Sequence, residues 1–151
     1  LKAACEVEFD TADVLLMAAA PADFRPADPA DHKLKKSERD TLDIHLEPTP
    51  DVLSALSARL RACQCLVGFA AEHVGGALEY GRDKLRRKGL DAIIVNDIAR
   101  SDIGFDTTEN EVTIVTAGGE QSVPRASKHE VARAILAEVA SRTSAADKMR
   151  T

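Results

Sequence analysis

The sequence has 151 residues, 44% of them hydrophobic and 30% charged, which is the length and apolar content of a single folded domain and excludes disordered and fibrous classes. A net charge of −5, with four Phe, one Tyr and no Trp, argues against nucleic-acid binding, which wants a basic face and stacking rings. The core must be built from Ala, Val, Leu and Ile, as parallel α/β sheets usually are.

In chain order, Asp13 to Ala20 opens with a carboxylate and runs on as Val-Leu-Leu-Met-Ala-Ala-Ala before Pro21. Its length and flanks predict a buried strand, although Leu, Met and Ala leave a helix open. Pro21 to Pro50 shifts to Pro, Asp and Lys and carries one predicted strand, Thr41 to Leu46, in which Leu42, Ile44 and Leu46 alternate with Asp43 and His45. So long an excursion between core elements has the character of a lid or binding loop. Within it, Lys33-Leu34-Lys35-Lys36 puts three ammonium groups in four residues. If extended, it sets Lys33 and Lys35 on one face, turns Leu34 inward and makes a clamp for phosphates. The alternative is a solvated basic loop.

Thr49 and Pro50 predict a helix start, the first as cap and the second at the first helical position, with the helix running to about Arg61. Gln64 to Ala70 predicts a second buried strand. A helix from about Gly76 to Lys88 is closed by Gly89, and Leu90 to Val95 predicts a third strand leading into Asn96-Asp97. Strands alternating with helices predict right-handed βαβ units and a mostly parallel sheet. Glu111 to Thr116 and Gln121 to Pro124 predict a hairpin, so Gly118-Gly119 reads as a turn rather than a phosphate cradle. Ser127 and Glu130 have capping-box spacing ahead of a one-sided helix carrying Val131, Ala134, Ile135, Glu138 and Val139. After about Arg142 the chain is polar and is expected to fray, leaving a disordered tail over 143–151.

Positive charge is local, in Lys33 to Arg39 (net +3) and Arg82 to Lys88 (net +4). In the second run Lys84 and Lys88 share a helix face, Leu85 packs inward, and Arg86 and Arg87 face elsewhere. Cys5, Cys63 and Cys65 fit neither a disulfide framework nor C-x-x-C spacing and read as buried thiols. The four histidines are scattered, without metal-ligand spacing. No apolar run approaches the roughly 20 residues that cross a bilayer, and none reads as a signal peptide, so the cytoplasm is the expected compartment. Open α/β sheets bind ligands at the carboxyl ends of their strands. Ala18 to Asp23, Lys33 to Lys36, Gly68 to Glu72 and Asn96-Asp97 all leave or follow such ends. The helix beginning at Pro50 adds free amides and a positive dipole.

The series A-A-x-A-D-F-R-P, K-L-K-K, P-D-V-L, V-G-F-A-A-E, Y-G-R-D-K-L-R-R-K-G-L-D, N-D-I and G-F-D-T-T-E-N-E-V resembles phosphopantothenate-cysteine ligase from Asp13 to about Val139. In most bacteria this is the carboxy-terminal half of a bifunctional coenzyme A biosynthesis flavoprotein. The resemblance implies a Rossmann-like three-layer α/β domain. It also implies a reaction in which CTP activates the carboxylate of 4′-phosphopantothenate as an acyl-cytidylate, and the amine of L-cysteine then displaces CMP, with Mg²⁺ present. It implies backbone contacts to the nucleotide from Met17, Ala18 and Ala19, and Asp23 near the nucleotide's sugar or a metal ion. Lys33 matches the first lysine of a catalytic flap. Pro50, Asp51, Val52, Leu53, Phe69, Lys84 and Lys88 match nucleotide-binding positions. It further implies a homodimer or a higher assembly through the decarboxylase half. The hairpin near Gly118 or the lid strand near Ile44 are the candidate contacts.

The family's amino-terminal S-N-x-S-S-G-K-M-G segment has no counterpart in these residues. On the resemblance, 1–142 is therefore a ligase domain incomplete at its amino terminus and inactive alone. FMN belongs only to the decarboxylase half, which is absent from these residues. Pro21 stands where the family more often has Val, and the His73 to Gly76 stretch is one residue longer than in some relatives. The alternative function is a noncatalytic nucleotide-binding or dimerisation module of the same fold. A nicotinamide-dependent dehydrogenase is disfavoured, because no G-x-G-x-x-G turn follows a strand.

Overall fold

Alternate residues of three strands serve two separate cores in the computed structural model, which describes residues 1–38, 40–72, 76–97 and 107–148. The strands are β4 (Cys65–Glu72), β5 (Ala92–Asp97) and β6 (Glu109–Thr116). Leu66, Ala70, Ile93, Val95 and Val115 join one core, while Cys65, Val67, Ala92, Ile94, Val112 and Ile114 join the other. Such alternation follows from the two-residue period of a strand covered on both faces. The first core is closed by α1 (Lys2–Phe9), α2 (Val52–Ser57) and α3 (Ala77–Arg87), through Phe9, Val52, Leu53, Leu56, Ala77 and Leu85. The second is closed by α4 (Lys128–Lys148) through Val131, Ile135 and Val139, the stripe expected of a one-sided helix. This is the expected three-layer α/β arrangement.

The sheet order is β1-β4-β5-β6-β7, with β1 (Val14–Met17) and β7 (Gly119–Ser127) at its edges. β1, β4 and β5 are parallel, and β6 and β7 add the expected antiparallel hairpin. Thr116 pairs with Gly119, which holds φ 139°, so the Gly pair is indeed a turn. Gly89 (φ 58°) closes α3 as predicted: its amide donates to the Arg86 carbonyl and that of Leu90 to Leu85, a Schellman ending.

Four expectations are corrected. The strand from Asp13 to Ala20 is only Val14–Met17. As an edge strand it is half-buried, with Leu16 38% exposed. The helix from Pro50 to Arg61 is only Val52–Ser57, because i→i−3 bonds from Arg59 and Leu60 tighten its end. Thr49 is not its cap in the expected sense, since its hydroxyl donates to the Ala22 carbonyl at 2.5 Å. At the carboxyl end, α4 continues to Lys148 where fraying is expected after Arg142; an Arg142–Glu138 pair at 2.8 Å supports its last turns.

Residues Ala19–Asp51 form a second unit. Here β2 (Phe24–Pro26) pairs antiparallel with β3 (Leu46–Pro48), joined by an Arg25–Glu47 ion pair at 2.7 Å. The predicted strand Thr41 to Leu46 is displaced toward the carboxyl end, so that only Leu46 belongs to it. Its alternating apolar face has nothing to cover: no described side chain of this unit is buried, and Leu42, Ile44 and Leu46 are all exposed. Pro26 and Pro48 lack the amide protons that would lengthen the ladder. Leu34, expected to turn inward, is 44% exposed, and Lys36–Glu38 form a 3-10 turn. Arg39 of the basic cluster, His73 to Gly75, Ile98, Gly104 to Asp106 of the last motif and the terminal 149–151 lie outside the described residues.

Gln64 joins the sheet to the chain before it. Its buried amide donates to the carbonyls of Phe9 (2.6 Å) and Ala12 (2.8 Å) and accepts from the Arg61 amide at 3.0 Å. Gln64→Ala strands all three groups and is expected to cost about 2–3 kcal/mol, read as a lowered urea midpoint at unchanged slope. The predicted capping box is also formed: the Ser127 amide and hydroxyl both donate to Glu130 at 3.0 and 2.7 Å, and the Glu130 amide returns to the hydroxyl at 3.3 Å. The Ser127 bonds hold the Glu130 carboxyl below the usual glutamate range. Its contribution is therefore present in full above the ordinary glutamate pKa and lost as pH falls through the depressed one. Denaturation curves taken through the acid range should fall less steeply for Glu130→Gln than for the wild type.

Candidate functional site

Parallel pairing brings the carboxyl ends of β1, β4 and β5 side by side, with Met17 opposite Gly68 and Ala71 opposite Asn96. Met17 is buried, and the chain turns immediately after it, the Ala18 amide donating to the Leu16 carbonyl at 3.0 Å. Gly68 is where α2 closes on the sheet. A Cβ there would lie 2.8 Å from Leu90 Cδ1 and 3.4 Å from Leu53 Cδ1. Val52 and Leu53, both expected near a nucleotide, put their side chains in the core, so only their backbone can serve a ligand.

α3 packs Ala77, Gly81 and Leu85 inward at intervals of four and carries Lys84 on the flank of that face. The half-buried Lys84 ammonium donates to the Phe69 carbonyl at 3.1 Å, bringing together two predicted site residues. Lys88, one turn on, is also half-buried and ends the helix, its amide donating to the Lys84 carbonyl. The other cations of this cluster are engaged along the surface. Arg82 pairs with Glu120, and Asp83 lies 3.9 and 3.7 Å from Arg86 and Arg87, which face solvent as expected.

In the second unit, Asp23 and Thr49 are tied through the backbone, the Thr49 amide donating to the Asp23 carbonyl at 2.8 Å. That fixes Asp23 beside the strand end that leads into Pro50 and Asp51. Ala19, Asp23, Lys33, Pro50 and Asp51 are all exposed, and Lys33 lies in irregular chain just before the 3-10 turn. The structure therefore divides the predicted residues, with Met17, Ala18, Val52, Leu53, Phe69, Lys84 and Lys88 in the sheet unit and the rest in the second.

Cys65 is buried as expected, while Cys5 and Cys63 are only half-buried. Burial, with Asp91 nearby, pushes the Cys65 thiol up to about 11. No group of three or more His, Cys, Asp or Glu among the described residues could hold a metal ion alone.

The sequence profile of the family described as "DNA/pantothenate metabolism flavoprotein C-terminal domain" matches residues 1–143. The chain belongs to this family. Among its relatives are the coenzyme A biosynthesis bifunctional proteins CoaBC of Vibrio cholerae and Bacillus subtilis. The first is 37% identical over 124 residues (82% of this chain, 31% of that protein) and the second 38% identical over 133 (87% and 32%). The chain thus spans about a third of the length of these relatives. The crystal structure of the C-terminal domain of CoaBC superposes with a TM-score of 0.70 at 32% identity, covering 91% of this chain and 58% of that one. The DNA/pantothenate metabolism flavoprotein from Streptococcus pneumoniae shares the fold at a TM-score of 0.73 and 19% identity, covering 92% and 67%. No helix among the described residues is long and apolar enough to cross a membrane.

Three further features of this region come from the packing. Asn96 Oδ1 is buried near the end of β5 with no hydrogen-bond partner among the described residues. Tyr80 lies beneath Lys84, its ring centre 5.8 Å from the ammonium, an i,i+4 spacing that the sequence displays. Gly81 lets α3 approach β5 closely, since a Cβ there would overlap Val95 Cγ2. Gly81→Ala gains helix propensity but must lift α3 or displace a β-branched core residue. A net loss of about 1–3 kcal/mol is expected, with weakened protection of the β4 amides on hydrogen exchange.

Proposed function

We propose that this chain forms the greater part of a phosphopantothenate-cysteine ligase domain, joining 4′-phosphopantothenate to L-cysteine at the expense of CTP. The observation that carries the reading is the Lys84 ammonium fixed on the Phe69 carbonyl, one residue past the Met17–Gly68 pair at which β1 ends. Ligands of open α/β sheets bind at such ends, and a paired cation there suits a polyphosphate. Identity of 37–38% to bifunctional coenzyme A biosynthesis proteins supports the same reading.

In the first step a carboxylate oxygen of the substrate attacks the α-phosphorus of CTP and the bond to pyrophosphate breaks. In the second, the cysteine amine attacks the acyl carbon and the bond to CMP breaks. Negative charge builds on the phosphoryl oxygens during the first step, and positioned cations lower its cost. Lys84 and Lys88 hold the phosphates, Lys33 brings its charge from the exposed lid segment, and the chain past Met17 offers backbone groups to the nucleotide. A lone carboxylate such as Asp23 suits magnesium that arrives on a triphosphate, since this ion takes one or two protein carboxylates and fills its remaining positions with phosphate and water. Bound there, the ion would offset phosphate charge. A cytoplasmic setting and a homodimer belong to the same proposal. The exposed Leu42, Ile44 and Leu46 make the lid segment the better supported contact, whereas Pro124 interrupts the β7 edge.

Calorimetric titration with CTP and Mg²⁺, with ATP and GTP as controls, should show selective CTP binding. No preference among the three would replace the ligase reading with that of a noncatalytic module. In a catalytically competent form, Lys33→Gln should slow pyrophosphate release at least about a hundredfold while the thermal midpoint stays put, the size expected when a charge acting in the transition state is removed. An unchanged pyrophosphate burst would count against the role of Lys33.

A further inference from the structure

Lys84 has a second neighbour that the proposed chemistry leaves without a role. Tyr80 is the sole tyrosine of the chain and stands one helical turn before Lys84 on α3. Its ring is 45% exposed, and among the described residues its hydroxyl meets no hydrogen-bond partner. The ring centre lies 5.8 Å from the Lys84 ammonium, within the range at which an aromatic face attracts a cation. On the other side of the same ammonium is the Phe69 carbonyl, at 3.1 Å. A lysine has four rotatable bonds and an exposed ammonium normally samples many positions. Here a carbonyl dipole and a ring face, from β4 and from α3, are among the groups that restrict it.

We propose that Tyr80 is a positioning residue, whose ring face holds the Lys84 ammonium on the Phe69 carbonyl of β4, just past the end of β1, ready for an anionic ligand. The inference rests on the nucleotide reading for the identity of that ligand and not for the pairing itself. Its restraint comes from the ring and not from the hydroxyl, so phenylalanine can replace tyrosine and an aliphatic side chain cannot. The gain is in binding: an ammonium already placed loses less freedom when a phosphate arrives.

Two measurements on the same protein test it. In proton NMR the Lys84 Hε resonances should be shifted upfield by the ring, the shift surviving in Tyr80→Phe and vanishing in Tyr80→Leu. Lys84 Hε resonances at ordinary lysine positions in the wild type would overturn the proposal whatever the ligand. In calorimetric titration with CTP and Mg²⁺, Tyr80→Leu should weaken binding about two- to fivefold, the worth of one exposed cation–π contact, and Tyr80→Phe should restore most of it. Combined with Lys84→Met, Tyr80→Leu should cost nothing further. An equal loss in the Lys84→Met background would show that the ring acts on the ligand or the fold directly, and the positioning role would fall. A ring-shifted Lys84 in a protein that binds no CTP would refute the nucleotide reading and leave the pairing standing.

Discussion

Everything in the sheet unit depends on β4 being covered on both faces and paired on both edges. Leu66 and Val67 are completely buried and face opposite cores, so neither face of the strand can shift without exposing apolar surface on the other. Its entry is pinned as well. The Leu66 amide donates to the Asp91 carboxylate at 2.8 Å and the Asp91 amide returns to the Leu66 carbonyl at 3.0 Å, tying the start of β4 to the turn before β5. A strand fixed in register and along its length delivers its carboxyl end to one place. Met17 lies opposite Gly68 and Asn96 opposite Ala71 for that reason, and no separate device is needed to align them.

Charge is distributed with a corresponding economy. α3 carries four cations and is followed by a fifth, Lys88; Arg82, Arg86 and Arg87 each lie near a carboxylate, and Lys84 donates to a backbone carbonyl. The arginines are surface pairs and contribute little to stability. In the second unit the balance is different: no described side chain is buried, and what holds the short ladder is an Arg25–Glu47 pair with backbone bonds on either side of it. Such a segment draws on few apolar contacts and opens at small cost, as binding loops generally do.

Where the sequence pattern was dense, it could be read correctly. The β4, β5 and hairpin segments, the Gly89 helix ending and the Ser127–Glu130 capping box are each set by local chemistry: apolar alternation, a residue tolerant of positive φ, a hydroxyl three residues from a carboxylate. The failures share a cause, in that tertiary context decided them. Val14 to Ala20 reads as a fully buried strand because its composition is apolar throughout, but half-burial of β1 follows from its edge position, which composition does not encode. Thr41 to Leu46 alternates well and still forms little strand, because alternation directs a segment only when there is a core to receive its apolar face. Among site residues, Lys84 and Phe69 were legible as motif positions, whereas the bond between them required the packing of α3 on β4. Tyr80 was visible only as spacing, and the burial of the Asn96 oxygen without a partner among the described residues only in three dimensions.

The buried thiol at the start of β4 bears on covalent chemistry. With its pKa raised to about 11, Cys65 is ionised in only about one molecule in ten thousand at neutral pH. Thiolate is the species that attacks disulfides, peroxides and electrophiles. Burial and a disfavoured thiolate together make this sheet-core sulfur a poor partner for exchange with any disulfide the protein meets.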